Sequence, residues 1–131
     1  MSDVGKKVMT IKSHRDLIAW QKAMDLTVRL YQVTKSFPRE EIYGLTSQMR
    51  RASASIAANI AEGQGRRFNK EFQQFLANAR GSLLEPDTHL ELAFRVGYID
   101  KDSYQNLRNQ SDEVGRILNG LLRSLDSSTG I

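Results

Sequence analysis

The chain has 131 residues, 40% of them hydrophobic and 26% charged, a composition typical of one globular domain rather than a disordered segment. The absence of cysteine excludes disulfides and thiolate metal sites, and no apolar run approaches the ~20 residues that a membrane helix requires. The net charge is +4, of which +3 lies in residues 1–15, with Lys6, Lys7, Lys12 and Arg15 against Asp3. The other 116 residues hold 15 basic and 14 acidic side chains, so the predicted fold is nearly neutral and the high pI is only a weak indication of nucleic-acid binding.

The chain divides into three segments. Residues 1–13 are expected to form a flexible basic tail, residues 14–126 a helical domain, and residues 127–131 a frayed C-terminus. The absence of cysteine fits a reducing compartment, and the N-terminus lacks the apolar core of a signal peptide. We therefore expect a cytoplasmic protein that does not contact membranes.

The first helix is predicted from about Arg15 to Lys35, with Ser13 or Asp16 as its N-cap. It ends before Pro38, because proline disfavours helical backbone in the residue that precedes it. Two apolar stripes run along it at helical spacing, Leu17, Trp20, Met24, Val28 and Tyr31 in one and Ala19, Ala23, Leu26, Leu30 and Val33 in the other. Because this apolar face is wider than one bundle core needs, it predicts that the chain self-associates.

The second helix is predicted from about Leu45 to Glu62, after a connector over residues 38–44. Most of its outer side chains are small, which allows neighbouring helices to approach closely. Its core stripe consists of Leu45, Met49, Ala52, Ile56 and Ile60. Gly63 and Gly65 are predicted to end the helix.

The third helix is predicted to begin at Asn69, acting as the N-cap, and to end before Gly97 at the C′ position. Pro86 lies within its apolar pattern and lacks the backbone N–H that would bond to Ser82. The helix therefore either kinks or breaks at Pro86. We favour a kink, because the apolar period continues beyond this residue.

The fourth helix has the clearest pattern, with Asp100 as its predicted N-cap. Its apolar seam alternates spacings of three and four residues, through Tyr104, Leu107, Ser111, Val114, Leu118, Leu121 and Leu125. Four such helices with short links predict an all-α fold, an antiparallel up-down-up-down four-helix bundle.

A polar stripe runs along the second helix, because Arg51, Ser55, Asn59 and Glu62 recur at spacings of four, four and three. It is compatible with a ligand site in which Glu62 is a catalytic acid or base. It is also compatible with a hydrogen-bonded network that fixes helix register or lines a subunit contact. We favour the network, because no second catalytic group and no pocket accompanies Glu62.

The densest basic cluster outside the tail is Arg66, Arg67 and Lys70, which follows Gly63 and Gly65. A phosphate-binding glycine loop would follow a strand, whereas this turn follows a helix, so a helix-to-helix turn is the favoured interpretation. If the chain binds nucleic acid, this cluster is the expected site. Phe68 and Phe72 are assigned to the core, so we expect no aromatic platform beside it.

Catalytic and metal-binding patterns are missing from the sequence. His14 and His89 do not have metal-ligand spacing, and no serine lies in a nucleophile elbow. We therefore expect no catalytic residue, no metal, no cofactor and no enzymatic activity.

Several motifs resemble one bacterial family, named for proteins encoded within intervening sequences of 23S ribosomal RNA genes. They are DLIAWQKAMDL from Asp16, the long run FPREEIYGLTSQMRRASASIAANIAEGQGR from Phe37, GSLLE at residues 81–85, and the tripeptide at residues 97–99. Two positions differ from the family pattern, since Ala58 stands where a proline is frequent and Pro86 where it is unusual.

The resemblance implies an antiparallel four-helix bundle that assembles into a homopentamer, with no established reaction. The family is also similar in fold to an accessory protein of diversity-generating retroelements, a basic pentamer that binds nucleic acid and a reverse transcriptase; this likeness concerns the fold alone. We therefore expect a noncatalytic oligomeric scaffold or adaptor, whose partners are copies of itself. The alternative is a nucleic-acid-binding protein that uses basic patches on an oligomeric ring to bind RNA or DNA weakly. A protein partner is left open.

Overall fold

The computed structural model describes residues 12–129, which form four α-helices and, within this range, no strand. The helices are α1 (Ile18–Thr34), α2 (Leu45–Gln64), α3 (Asn69–Arg95) and α4 (Lys101–Thr129). The predicted all-α fold with four helices is confirmed. Apart from residues 12 and 13, the predicted tail lies outside the described residues; α4 extends to Thr129, within the segment predicted to fray.

The four helices form a bundle around one apolar core. Contacts join α1 to α2, α2 to α3, α3 to α4 and α4 to α1, and no contact joins a diagonal pair among the described residues. The largest buried side chains come from all four helices: Leu26, Leu30, Met49, Ile56, Ile60, Leu76, Leu90, Leu107 and Leu118. No helix within residues 12–129 has the length and apolar character needed to cross a membrane.

The start of the first helix differs from the prediction. A short 3-10 turn, His14–Asp16, precedes α1, and Leu17 between them is extended. Ser13 caps this turn rather than α1: its Oγ accepts a hydrogen bond from Arg15 N at 3.1 Å, and Asp16 Oδ2 accepts from Ser13 N at 3.3 Å. The predicted helical start at Arg15 is therefore wrong by three residues, because the capping box closes a separate turn.

Gly63 lies inside α2 and does not end it, in contrast to the prediction. The helix continues to Gln64, and Gly65 is its C-cap. A Cβ on Gly63 would stand 2.7 Å from Phe75 Cβ and 2.9 Å from Phe72 Cδ1. The residue is therefore glycine because α3 approaches the backbone of α2 at this point.

α3 runs without a break through the buried Pro86, so the alternative of a broken helix is wrong. Phe68 occupies its N-cap position and Asn69 is the first helical residue, so the cap lies one residue earlier than predicted. At the other end Gly97 has φ +86°, while Tyr98 N donates to Ala93 O at 2.8 Å and Gly97 N donates to Phe94 O at 3.1 Å. These two bonds form a Schellman motif, which confirms the C′ glycine.

The predicted cap and seam of α4 are confirmed. Asp100 Oδ1 accepts a hydrogen bond from Ser103 N at 2.7 Å, and this bond is the main cause that lowers the pKa of Asp100. All the predicted seam residues are buried or packed against the core: Tyr104, Leu107, Ser111, Val114, Leu118, Leu121 and Leu125.

Glu41 joins the connector between α1 and α2 to the loop between α3 and α4. Its Oε1 accepts from Leu45 N in the first turn of α2 at 3.0 Å, and its Oε2 accepts from the Tyr98 hydroxyl at 2.8 Å. These two bonds lower the pKa of Glu41, the Leu45 amide contributing most, and the bond to Glu41 raises the pKa of Tyr98. One carboxylate therefore caps α2 and ties two connections together.

Opposite effects are expected for alanine at two helical glycines. Gly63→Ala should lower the free energy of unfolding by about 1–3 kcal/mol, because the new methyl group meets the Cβ of Phe75 and cannot be accommodated by a rotamer change alone. Gly81→Ala is the matched control: nothing lies within 4 Å of its added Cβ, so it should stabilise α3 by about 0.5–1 kcal/mol. Urea unfolding of both variants measures this, and a neutral or stabilising Gly63→Ala would contradict the close approach.

Tyr98→Phe should remove part of the acid sensitivity of the fold. Because the pKa of Glu41 is lowered in the folded state, its stabilising effect is complete above the ordinary carboxyl pKa and is lost as the pH falls through the folded pKa. The variant should therefore melt below the parent at pH 7, and this difference should shrink towards pH 3. Tyr43→Phe is the control, since the Tyr43 side chain is 95% exposed. Equal pH dependence of parent and Tyr98→Phe in thermal melts would refute the role of this bond.

Candidate functional site

The predicted polar stripe of α2 lies on the outer surface of that helix, and each of its side chains bonds locally. Arg51 is exposed and donates from Nη2 to Ser47 Oγ at 2.9 Å. Ser55 and Asn59 are half-buried; Ser55 Oγ donates to Ala52 O at 2.7 Å and Asn59 Nδ2 donates to Ser55 O at 2.8 Å. The hydrogen bonds of these three side chains therefore stay within one helix instead of joining α2 to its neighbours.

Glu62, the fourth residue of the stripe, is exposed and belongs to the basic turn between α2 and α3. Its Oε2 accepts from Arg66 Nη2 at 2.9 Å. The Arg66 guanidinium also lies over the Phe75 ring at 4.8 Å, so it is held between a carboxylate and an aromatic face. Glu62 is therefore separated from Arg51 and Ser55 and is engaged with the cation that follows it.

Phe68 is exposed, and its assignment to the core is wrong. Its side chain is 61% exposed, and the Arg67 guanidinium lies 5.8 Å from the centre of its ring. Phe72, by contrast, is half-buried and packed against the core as predicted. The N-cap position of Phe68 explains the difference, because its extended backbone directs it away from the inner face of α3. An aromatic ring therefore stands beside the basic cluster, where none was expected.

A groove of about 580 Å³ lies between α3 and α4, next to this turn. Three cations line it, Lys70 and Arg80 from α3 and Arg123 from α4, together with Asn119, which accepts from Arg80 Nη1 at 3.1 Å. Asp126 is the one carboxylate among the lining residues. The predicted cluster thus continues into a groove through two arginines that the sequence analysis did not identify.

Arg80 and Arg123 were missed for different reasons. On α3, the groove residues Lys70, Gln73, Ala77 and Arg80 recur at spacings of three, four and three, which is a readable signal for one helix face. Arg123 lies 43 residues further along the chain than Arg80, and only the packing of α4 on α3 brings it into the groove.

A second groove, also of about 580 Å³, lies between α2 and α3. It brings Arg51 and Ser55 of the polar stripe together with Tyr43, Glu85 and His89. His89 Nδ1 is buried without a hydrogen-bond partner among the described residues, and burial lowers the pKa of this imidazole while the charge of Glu85 opposes the shift. The imidazole is therefore predominantly neutral near pH 7.

Within residues 12–129, no group of three or more histidine, aspartate and glutamate side chains lies together as a metal site would require. The other strong carboxylate contacts are structural: Glu91 accepts from the Tyr104 hydroxyl and pairs with Arg95 at 2.8 Å, and Asp87 pairs with Arg108 at 3.4 Å. Asp87 and Arg108 thus connect α3 to α4, whereas no ion pair joins Arg67, Lys70, Arg80 or Arg123 to another described residue at the turn and its groove.

Comparison with known proteins gives a family match and likenesses to solved structures. The family described as 23S rRNA-intervening sequence protein matches residues 15–120. A crystal structure of a protein of unknown function from the S23 ribosomal protein family of Bacteroides thetaiotaomicron VPI-5482 is similar, with a TM-score of 0.72 and 25% sequence identity over 80% of this chain and 98% of that chain. No curated protein matches the sequence.

Proposed function

Since the chain belongs to the 23S rRNA-intervening sequence protein family, we propose that it is a noncatalytic four-helix bundle that assembles with copies of itself and serves as a scaffold or adaptor. The family is the one that the sequence motifs indicated. The proposal commits to a homopentamer, the assembly that the family resemblance implies, and to no reaction at Glu62.

Contacts between neighbouring helices support the up-down-up-down topology. Arg50 Nε donates to Thr34 Oγ1 at 2.9 Å near the end of α1, whereas Thr27, earlier in α1, bonds to Ser53 O, later in α2. The order along one helix is therefore reversed along the other. The same reversal occurs between α3 and α4, in the pairs Glu91–Tyr104 and Arg80–Asn119.

The observation that carries the assembly proposal is the outer stripe of α1. Of the two predicted apolar stripes, the one containing Ala19, Ala23, Leu26 and Leu30 is buried in the core. The other leaves Met24, Val28 and Tyr31 exposed by 37%, 51% and 41%. These three large apolar side chains lie on one helical face, next to α2, whose own outer positions at 54 and 58 are alanines.

An apolar helix beside a surface of small side chains favours close contact with a second helix. A ring with an odd number of subunits requires two different patches on each subunit, since an isologous contact closes at two. We therefore place the α1 stripe on one side of the subunit contact and leave the other side to a different patch on the neighbouring copy.

Val28→Lys should weaken assembly. Parent protein should sediment as an oligomer of about 75 kDa, five times the 14.9 kDa of one chain. The variant should dissociate at ~tenfold higher protein concentration or more. A valine buried in the contact contributes about 1.5 kcal/mol, and a lysine cannot replace it. Leu84→Lys on α3 is the control, because Leu84 is exposed but distant from α1. A parent that sediments as a monomer at micromolar concentration, or equal dissociation by both variants, would refute the proposal.

A second function, weak nucleic-acid binding, is favoured by the exposed ring of Phe68 beside Arg67. Proteins that bind single strands combine cations with exposed aromatic rings on which bases stack. Arg66, Arg67 and Lys70 supply the cations at the turn, and a ring of subunits would repeat this surface and raise its effective concentration. We expect binding of this kind to be weak for one subunit, tolerant of sequence and strongly dependent on salt.

Arg66→Gln with Arg67→Gln should reduce RNA affinity and its salt dependence. Removing two phosphate contacts should lower the slope of log affinity against log salt by about 1.4, since each contact with a single strand contributes about 0.7. Arg39→Gln with Lys101→Gln removes the same charge far from the turn and should have little effect. Fluorescence anisotropy with a labelled oligonucleotide at several salt concentrations measures both, and equal losses for the two pairs would show that binding is a response to net charge alone.

A further inference from the structure

The net positive charge of the described residues lies at one end of the bundle. With the proposed topology, residues 12–26, 55–80 and 113–129 form one half, which contains nine basic and six acidic side chains. Residues 27–54 and 81–112 form the other half, with eight of each. The whole charge excess of the described chain, +3, therefore belongs to the half that contains the α2–α3 turn and the groove between α3 and α4.

The groove offers cations that are available to a ligand. Lys70 and Arg123 form no ion pair within the described part of the chain, and Arg80 is bonded only to the neutral amide of Asn119. Lys70 and Arg80 are ten residues apart on α3, so the groove extends for ~15 Å along the helix. Its volume of about 580 Å³ is within the range of ~300–1,000 Å³ that is usual for ligand-binding clefts.

We propose that this groove binds the phosphate backbone of a single-stranded nucleic acid, with Lys70, Arg80 and Arg123 as phosphate contacts and Phe68 as the stacking platform at its entrance. The proposal rests on the second function proposed above. It adds the surface along which the strand binds and the class of nucleic acid that is bound. A single strand exposes its base faces to the Phe68 ring, whereas a duplex keeps them stacked.

This groove is separate from the α1 stripe that we assign to one side of the subunit contact. Each helix contacts only its two neighbours, so the α3–α4 face is on the opposite side of the bundle from the α1–α2 face that carries Met24, Val28 and Tyr31. In a ring whose second contact patch lies outside the α3–α4 face, each subunit would present one groove in an equivalent position, and a strand could pass from one groove to the next.

The test uses the full chain and labelled single strands of dT20 and U20, a matching DNA duplex, and anisotropy at several salt concentrations. Arg80→Gln with Arg123→Gln should weaken single-strand binding and lower the salt slope by about 1.4. Phe68→Leu should weaken binding about tenfold while leaving the salt slope unchanged, because it removes stacking and no charge. Circular dichroism confirms that each variant is folded.

The matched control is Arg39→Gln with Lys101→Gln, which removes two exposed cations from the other half. If the parent binds single strands but Arg80→Gln with Arg123→Gln behaves like this control, the groove assignment is wrong. The site at the turn is tested separately, by Arg66→Gln with Arg67→Gln. If the duplex binds as tightly as the single strands, the substrate class is wrong. If the parent binds no oligonucleotide at low salt, the nucleic-acid function fails altogether.

Discussion

At the end of α2 the backbone of Gly63 lies so close to α3 that a single methyl group would overlap Phe75. That contact fixes how α2 packs on α3, because the two helices cannot slide or rotate against each other while it persists. It fixes the register that puts Ala52 and Ser55 opposite Glu85 and His89. It also fixes the short turn after Gly65, and therefore directs the cations of that turn, and the ring of Phe68, away from the core.

Local signals predicted those features of the fold whose cause is local. Asp100 caps α4 by accepting a hydrogen bond from Ser103 N, three residues along the chain. Gly97 adopts a positive φ because the hydrogen bonds that end α3 form at this residue. Gly63 was misassigned because its role is not local. A glycine near a helix end resembles a stop signal, whereas this glycine is required by the side chain of Phe75, twelve residues away. Phe68 was misassigned because an aromatic residue is usually buried, and only the geometry of the N-cap shows that it is not.

The two stripes of α1 illustrate what periodicity can and cannot predict. Spacing alone predicted that the apolar face is wider than one core needs, but it could not predict which half would be buried. The structure buries the half that contains Ala19 and Ala23, since alanines allow α1 to approach its neighbours, and leaves the bulkier Met24, Val28 and Tyr31 outside. Large apolar side chains on the exterior are costly to solvate, so their concentration on one face supports the proposed self-association.

The proposed assembly face and the basic groove lie on opposite sides of the bundle, and this separation would have a functional consequence. A single subunit offers only a few cations and one exposed ring, and such a surface binds a strand too weakly to be selective. Repetition around the proposed ring would change this, because a strand held in one groove would meet the next at high effective concentration. Neither a catalytic group nor a deep pocket is needed for such a surface to work. The same bundle could then act as a scaffold and as a nucleic-acid carrier, with α1 responsible for the first role and the α3–α4 groove for the second.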